Sequence, residues 1–176
     1  RKGISLISKD GERAITVIGE RLQPIASDDL PWSDMKNYDG IFITATDKAG
    51  IRLASKARFV AATPRTGIPA LKNSKVKINA LIGSGLDPGE EINYEELVPK
   101  PDIYIATEGK LGGTVYPKKY KYKAIKPSSQ EIDTYGCGDC FAGAVTTALA
   151  AKLNLDQAIK IGAYCGAACS THYGPY

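Results

Sequence analysis

A chain of 176 residues is long enough for one ordinary domain with its own core and too short for two large ones. Its apolar fraction of 43% and charged fraction of 24% are those of a globular protein, and no apolar run approaches the roughly 20 residues that a membrane-spanning helix needs, which argues against membrane insertion. The net charge of +4 is local rather than global: Lys118, Lys119, Lys121, Lys123 and Lys126 contribute +5 within nine residues that contain no acid, leaving the rest of the chain at −1.

Taken in chain order, the first elements are two short strands, Ile4 to Ile7 and Ala14 to Ile18, joined by Lys9-Asp10-Gly11-Glu12, where Asp-Gly is a hairpin signal. The turn-rich run Ser27-Asp28-Asp29-Leu30-Pro31-Trp32 separates this small β element, residues 1–25, from a single α/β unit over 26–176. Within that unit the pattern predicts a strand Gly40 to Ala45, a helix Lys48 to Ala57, a strand Phe59 to Ala62, a further segment from Leu71 and a strand Ala80 to Ile82. A short helix near Tyr94 to Leu97 and a strand Ile103 to Ala106 follow. Alternation of this kind argues for a mostly parallel sheet covered by helices.

The strand at Ile103 ends in Thr107-Glu108-Gly109-Lys110-Leu111-Gly112-Gly113, at the carboxyl edge where open α/β sheets bind ligands. The glycines, the Thr hydroxyl and Lys110 could meet a nucleotide phosphate, and Gly112-Gly113 could equally be the turn into a strand Thr114 to Tyr116. Next, lysines alternate with Tyr120 and Tyr122. The alternation reads as a half-exposed strand with solvated lysines, with nucleic-acid contact as the alternative.

The richest segment is Asp133-Thr134-Tyr135-Gly136-Cys137-Gly138-Asp139-Cys140-Phe141-Ala142-Gly143. Its glycines let backbone N–H groups converge on one point, and the helix that follows adds the positive end of its dipole, so an anion can settle there without a basic side chain. Asp139 stands beside that point as a candidate base, or as the N-cap of a helix from Asp139 to Lys152. Phe141, Val145 and Leu149 repeat at helical spacing and define its core face. A second helix, with Asp156 as expected N-cap, carries Gly162, Ala163, Gly166, Ala167 and Ala168, small enough for a neighbouring helix or a flat ligand. Thr171-His172-Tyr173-Gly174-Pro175 closes it, and His172 reads as a loop residue.

Cys137 and Cys140 have C-x-x-C spacing, with Cys165 and Cys169 further on. Their placement on helices favours small buried side chains over a zinc site, with a Cys137–Cys140 redox pair as the alternative. Nothing in this demands an oxidising compartment, and the cytoplasm is the expected location.

These motifs resemble those of the ribokinase or PfkB family of carbohydrate and nucleoside kinases. The family signature, approximately D-T-x-G-A-G-D-x-F-x-G, is matched from Asp133 to Gly143 at every fixed position except Cys137, which replaces alanine. An upstream T-x-G-x-x-G is matched by Thr107, Gly109 and Gly112. The resemblance implies a three-layer α/β/α fold with a small β lid. It also implies phosphorylation of a hydroxyl on a sugar or nucleoside, with ATP, Mg2+ and in many members a monovalent cation such as K+. By the same resemblance Asp139 is the base, and the amides of Gly136, Cys137 and Gly138 form the anion hole. Thr107, Gly109, Lys110 and Gly112 would hold the nucleotide phosphates and ribose, and Ala163 and Gly166 would border adenine. The matching cation positions are Asp133, Tyr135, Cys169, His172 and Gly174. Lid strands of such kinases often pair between subunits, which implies a homodimer.

Two departures accompany the match. The family's N-x-x-E, associated with magnesium, reads Ser84-Gly85-Leu86-Asp87 here, so that Asp87 keeps a carboxylate and Ser84 lacks the amide. The opening hairpin resembles the lid strands that follow the family's first third, so the chain reads as the C-terminal two-thirds of such a kinase. With Arg1 at its start and Met35 its single methionine, the natural chain is expected to extend further. The competing function from another class is a nucleotide-binding module without turnover.

Overall fold

The computed structural model describes residues 2–7, 13–20 and 22–174. A two-stranded antiparallel ribbon comes first, β1 (Lys2–Ile7) with β2 (Arg13–Ile18), in a register that sets Ile4 opposite Thr16 and Leu6 opposite Ala14. The expected turn Lys9-Asp10-Gly11-Glu12 lies outside the described residues. The rest is organised by a six-stranded sheet in simple sequential order: β3 (Gly40–Ile43), β4 (Phe59–Ala62), β5 (Ala80–Ser84), β6 (Ile103–Thr107), β7 (Gly113–Tyr116) and β8 (Tyr120–Tyr122). β3 to β6 run parallel, and β7 and β8 fold back antiparallel.

Two cores result from the period-2 alternation of these strands, one on each face of the sheet. Val60, Ala62, Leu81 and Tyr104 point to one face, where α1 (Lys48–Ala54) and α2 (Ile68–Ser74) supply Ile51, Ala54 and Leu71. Ala61, Ala80, Ile82 and Ile105 point to the other, where α3 (Cys137–Ala150) and α4 (Leu155–Cys169) supply Phe141, Val145, Ala158 and Ile159. The arrangement is the three-layer α/β/α sandwich expected from the chain. Short parallel strands buried on both faces explain why β4 and β5 read as continuous apolar runs.

Several boundaries differ from expectation. β3 stops at Ile43, because Asp47 caps α1 by accepting from the Gly50 amide and the intervening residues form the connection. α1 ends at Ala54, not Ala57, and α3 ends at Ala150. α3 begins at Cys137 with Gly136 as its N-cap at φ 84°, which places Asp139 inside the first turn and overturns the N-cap reading of that residue. The N-cap of α4 is Asn154, not Asp156: the Asn154 carboxamide accepts from Gln157 N while Gln157 returns a bond to Asn154 N, a complete capping box. Cys165, expected to be buried, is exposed, whereas Cys169, one turn further along α4, is buried. No helix of the described residues is long and apolar enough to cross a membrane, and among them no group of three His, Cys, Asp or Glu side chains could hold a metal ion.

Candidate active site

The carboxyl ends of β5 and β6, the N-terminus of α3 and the inner face of α4 enclose a cleft of about 770 Å³. On one wall lies the loop after β6, with Thr107, Gly109, Lys110 and Gly112; on another lie Cys137 and Gly138; Ala163, Gly166 and Ala167 of α4 form a third. All four residues expected on the nucleotide loop and both expected at adenine therefore line one cavity.

Local chemistry fixes that loop. The Thr107 hydroxyl donates to Gly83 O at 3.2 Å across the β5–β6 pair, and Glu108 N donates to Gly112 O at 2.7 Å to close the turn. Gly112 sits at φ 95°, where a side chain would run into the Tyr122 carbonyl, so only glycine brings the loop this close to β8. The Glu108 carboxylate accepts from the Thr114 hydroxyl at 2.7 Å and from Lys121, and these two bonds, the first the stronger, hold its pKa below the usual value. Lys110 pairs with Glu131 at 2.5 Å, tying the loop to the segment that precedes the signature. The lysines around β8 behave as the alternation predicts: Lys121 is exposed between half-buried Tyr120 and Tyr122, and Tyr122 stacks on Phe141 at 5.8 Å between ring centroids.

At the head of α3, the first-turn amides lack intrahelical acceptors and the helix dipole adds positive charge. Of the three amides expected to form an anion hole, Cys137 N is turned back to Thr134 O at 3.3 Å, while a side chain on Gly138 would meet nothing within 4 Å, so the space above it is open. Gly162 and Gly166 set how close α4 comes: Cβ atoms there would fall 2.6 Å from Val145 Cγ2 and 3.2 Å from Cys137 O. Helix packing thus accounts for Gly162, and the cleft for Ala163. Asp139, exposed, projects toward Arg65, whose Nη1 lies 3.9 Å from its Oδ1.

Four of the five expected cation residues come together, Asp133, Tyr135, Cys169 and Gly174. Asp133 accepts from Tyr135 N at 2.9 Å and from Gly174 N at 3.2 Å, while Cys169 Sγ lies 3.4 Å from Tyr135 O and 4.0 Å from Gly174 O. His172 Nδ1 is buried without a hydrogen-bond partner among the described residues. Burial raises the thiol pKa values of Cys137, Cys140 and Cys169, that of Cys140 to about 11, which keeps all three protonated and unreactive at neutral pH and weakens the redox alternative.

Asp87 does not line the cleft; its carboxylate accepts from Gly89 N, and the Ser84 hydroxyl accepts from the amides of Leu86 and Asp87. Two residues that sequence reasoning missed occupy the space between this turn and α3. Arg65, in the 3-10 turn Pro64–Thr66 after β4, lines the cleft, and Glu90, on the loop after β5, is a buried carboxylate at 2.5 Å from Arg65 Nε. Partial burial opposes the charge on Arg65, but the hydrogen bond to Glu90 and the charges of Glu90, Asp139 and Asp87 outweigh it and raise its pKa. The two residues stand 25 apart in sequence, and no local pattern marks either.

The fold and this cleft define a ribokinase-like α/β protein. The ribokinase of Thermotoga maritima superimposes with a TM-score of 0.74 at 18% identity, covering 98% of this chain and 64% of that one. The Arabidopsis thaliana ribokinase complexed with ribose and ATP gives 0.72 at 16% identity, covering 98% and 63%. Probable fructokinase-5 of Arabidopsis thaliana is 32% identical over 82 residues, 43% of this chain and 25% of that protein. Residues 76–176 match the pfkB family carbohydrate kinases, and the chain belongs to that family. It spans less than two thirds of the length of these relatives.

Proposed function

We infer that this chain forms the phosphoryl-transfer part of an ATP-dependent kinase acting on a hydroxyl of a sugar or sugar-like small molecule. The observation that carries this reading is the convergence, on one cleft, of the Thr107–Gly112 loop, the head of α3 and Arg65, with Asp139 at 3.9 Å from that arginine. The cavity suits a nucleoside triphosphate: small residues leave room for a flat base along Ala163 and Gly166, and a 14-residue helix presents its positive end toward the phosphates. Gly136, Cys137 and Gly138 supply the anion-hole amides, with Cys137 N freed from Thr134 O when an anion arrives. Asp139 takes the proton of the acceptor hydroxyl. Arg65 offers a charged, planar donor to the transferred phosphoryl group.

Magnesium would neutralise charge on the triphosphate, and Asp87, on the turn after β5 just outside the cleft lining, is the carboxylate that the family pattern offers for it. The Tyr135 and Gly174 carbonyls, beside Cys169 and Asp133, suit a monovalent cation such as K+ that would steady the anion-hole loop, with His172 carried over from the family resemblance alone. The β1–β2 ribbon, Lys2–Ile7 with Arg13–Ile18, would serve as a lid over the acceptor and a surface for a second subunit, in keeping with its exposed Ile4, Leu6, Val17 and Ile18.

In the full-length gene product, Asp139→Asn and Asp139→Ala should lower kcat by about 10² to 10⁴-fold, the usual contribution of a positioned base, while ATP affinity measured by calorimetry stays within a factor of a few. Near-normal turnover in either variant refutes the role. ATP binding without ADP release across a panel of sugars and nucleosides, in the wild-type protein, would make it a binding module instead.

A further inference from the structure

Glu90 is an unusual residue for the interior: its side chain is 4% exposed, yet it ends in a carboxyl group. A buried carboxylate survives only with well-placed partners. Glu90 has one for each oxygen: Oε1 accepts from Arg65 Nε at 2.5 Å and Oε2 accepts from Ser84 N at 2.9 Å. Room for it comes from Gly83, where a Cβ would sit 3.0 Å from Glu90 Oε2 and 2.6 Å from Pro64 Cδ. One carboxylate thereby joins the turn after β4, the end of β5 and the guanidinium that lines the cleft.

Gripping Arg65 through Nε directs the far end of its guanidinium outward. Arg65 Nη1 then stands 3.9 Å from Asp139 Oδ1, with half of the side chain, 52%, still open to solvent and ligand. A long, flexible arginine would otherwise sample many rotamers at the cleft mouth.

We propose that Glu90 is a positioning residue for phosphoryl transfer: its buried carboxylate clamps Arg65 Nε so that the guanidinium is held across the transfer centre, beside Asp139. This rests on the kinase reading above. Glu90 itself touches no substrate and acts through Arg65.

The test uses the full-length protein, with ATP and the acceptor it turns over best. Glu90→Gln keeps the shape and the acceptor for Ser84 N while removing the charge; it should lower kcat at least 10-fold with the KM for ATP changed less than three-fold. Arg65→Gln should lose as much, and the double variant should be no worse than Arg65→Gln alone. Arg65→Lys, which keeps the charge but has no Nε–H for Glu90 to grip, should fall near Arg65→Gln; being half exposed, this position tests the proposal even where the buried substitution fails to fold. Additive losses in the double variant, a wild-type kcat in Glu90→Gln, or a wild-type kcat in Arg65→Lys would each overturn the proposal. Asp139→Asn serves as the separate control on the underlying reading. If it is inactive while Glu90→Gln is unimpaired, the clamp fails and the kinase assignment stands.

Discussion

Replacing Gly112 by alanine tests whether the loop geometry, rather than its side chains, builds the cleft wall proposed to hold a nucleotide. Gly112 has φ 95° and ψ −111°, outside the ordinary left-handed region. An added Cβ would strike the Tyr122 carbonyl oxygen and lie 2.9 Å from both Ala124 N and Lys123 C. These are backbone atoms just past β8, with no rotamer to retreat to, so a shift on the order of 1 Å must spread into the loop. Backbone strain of about 1–3 kcal/mol and overpacking of about 1–3 kcal/mol add to roughly 2–6 kcal/mol. For a domain of this size, at about 2–4 °C per kcal/mol, that lowers Tm by roughly 4–24 °C. Because Glu108 N bonds to Gly112 O and Gly112 N to Gly109 O, the displacement reaches the residues facing the cleft, and ATP affinity should weaken at least ten-fold. Gly109→Ala is the internal control. Its φ of 58° is ordinary left-handed geometry and its Cβ would meet only Leu86 Cδ1 at 3.9 Å, so it should cost about 1–2 kcal/mol. Thermal denaturation and calorimetric ATP titration read both effects. A Gly112→Ala protein that melts within 2 °C of wild type, or higher than Gly109→Ala, would refute this reasoning.

Val145→Ala, at a side chain 0% exposed between α3 and α4, removes two methyl groups and should cost about 2–3 kcal/mol in urea denaturation, with m unchanged. Iodoacetamide at pH 8 should modify the exposed Cys165 first, with Cys137, Cys140 and Cys169 far slower because burial keeps them protonated; peptide mass spectrometry resolves the order, and equal rates at all four would contradict the packing. The depressed pKa of Glu108 makes its bonds to Thr114 and Lys121 stabilising above the ordinary carboxylate range, and that contribution is lost as pH falls through the lowered value. Glu108→Gln should therefore flatten the acid side of the stability-against-pH curve without altering its neutral plateau shape.

The local patterns carried far because they are local physics. The continuous apolar runs Val60 to Ala62 and Ala80 to Ile82 named the strands, and the i, i+4, i+8 spacing of Phe141, Val145 and Leu149 named the core face of α3. Glycine in the two loops marked where the backbone must come close to something. Boundaries were less legible, since caps depend on which of two neighbouring polar residues reaches the amides: Asn154 won over Asp156 because it sits where its side chain can close the box with Gln157.

What the chain pointed to by itself was the proposed class of chemistry, because Thr107 to Gly112 and Asp133 to Gly143 are contiguous motifs whose glycines let the backbone come close to a ligand. The tertiary structure decided what stands opposite them. Arg65 reaches Asp139 only because parallel pairing sets the ends of β4 and β5 side by side under the head of α3, and Glu90 can be charged and buried only where Gly83 leaves room and Ser84 and Arg65 both donate. Those contacts join residues from separate strands and loops, and a burial cost met by partners distant in sequence leaves no mark in local composition.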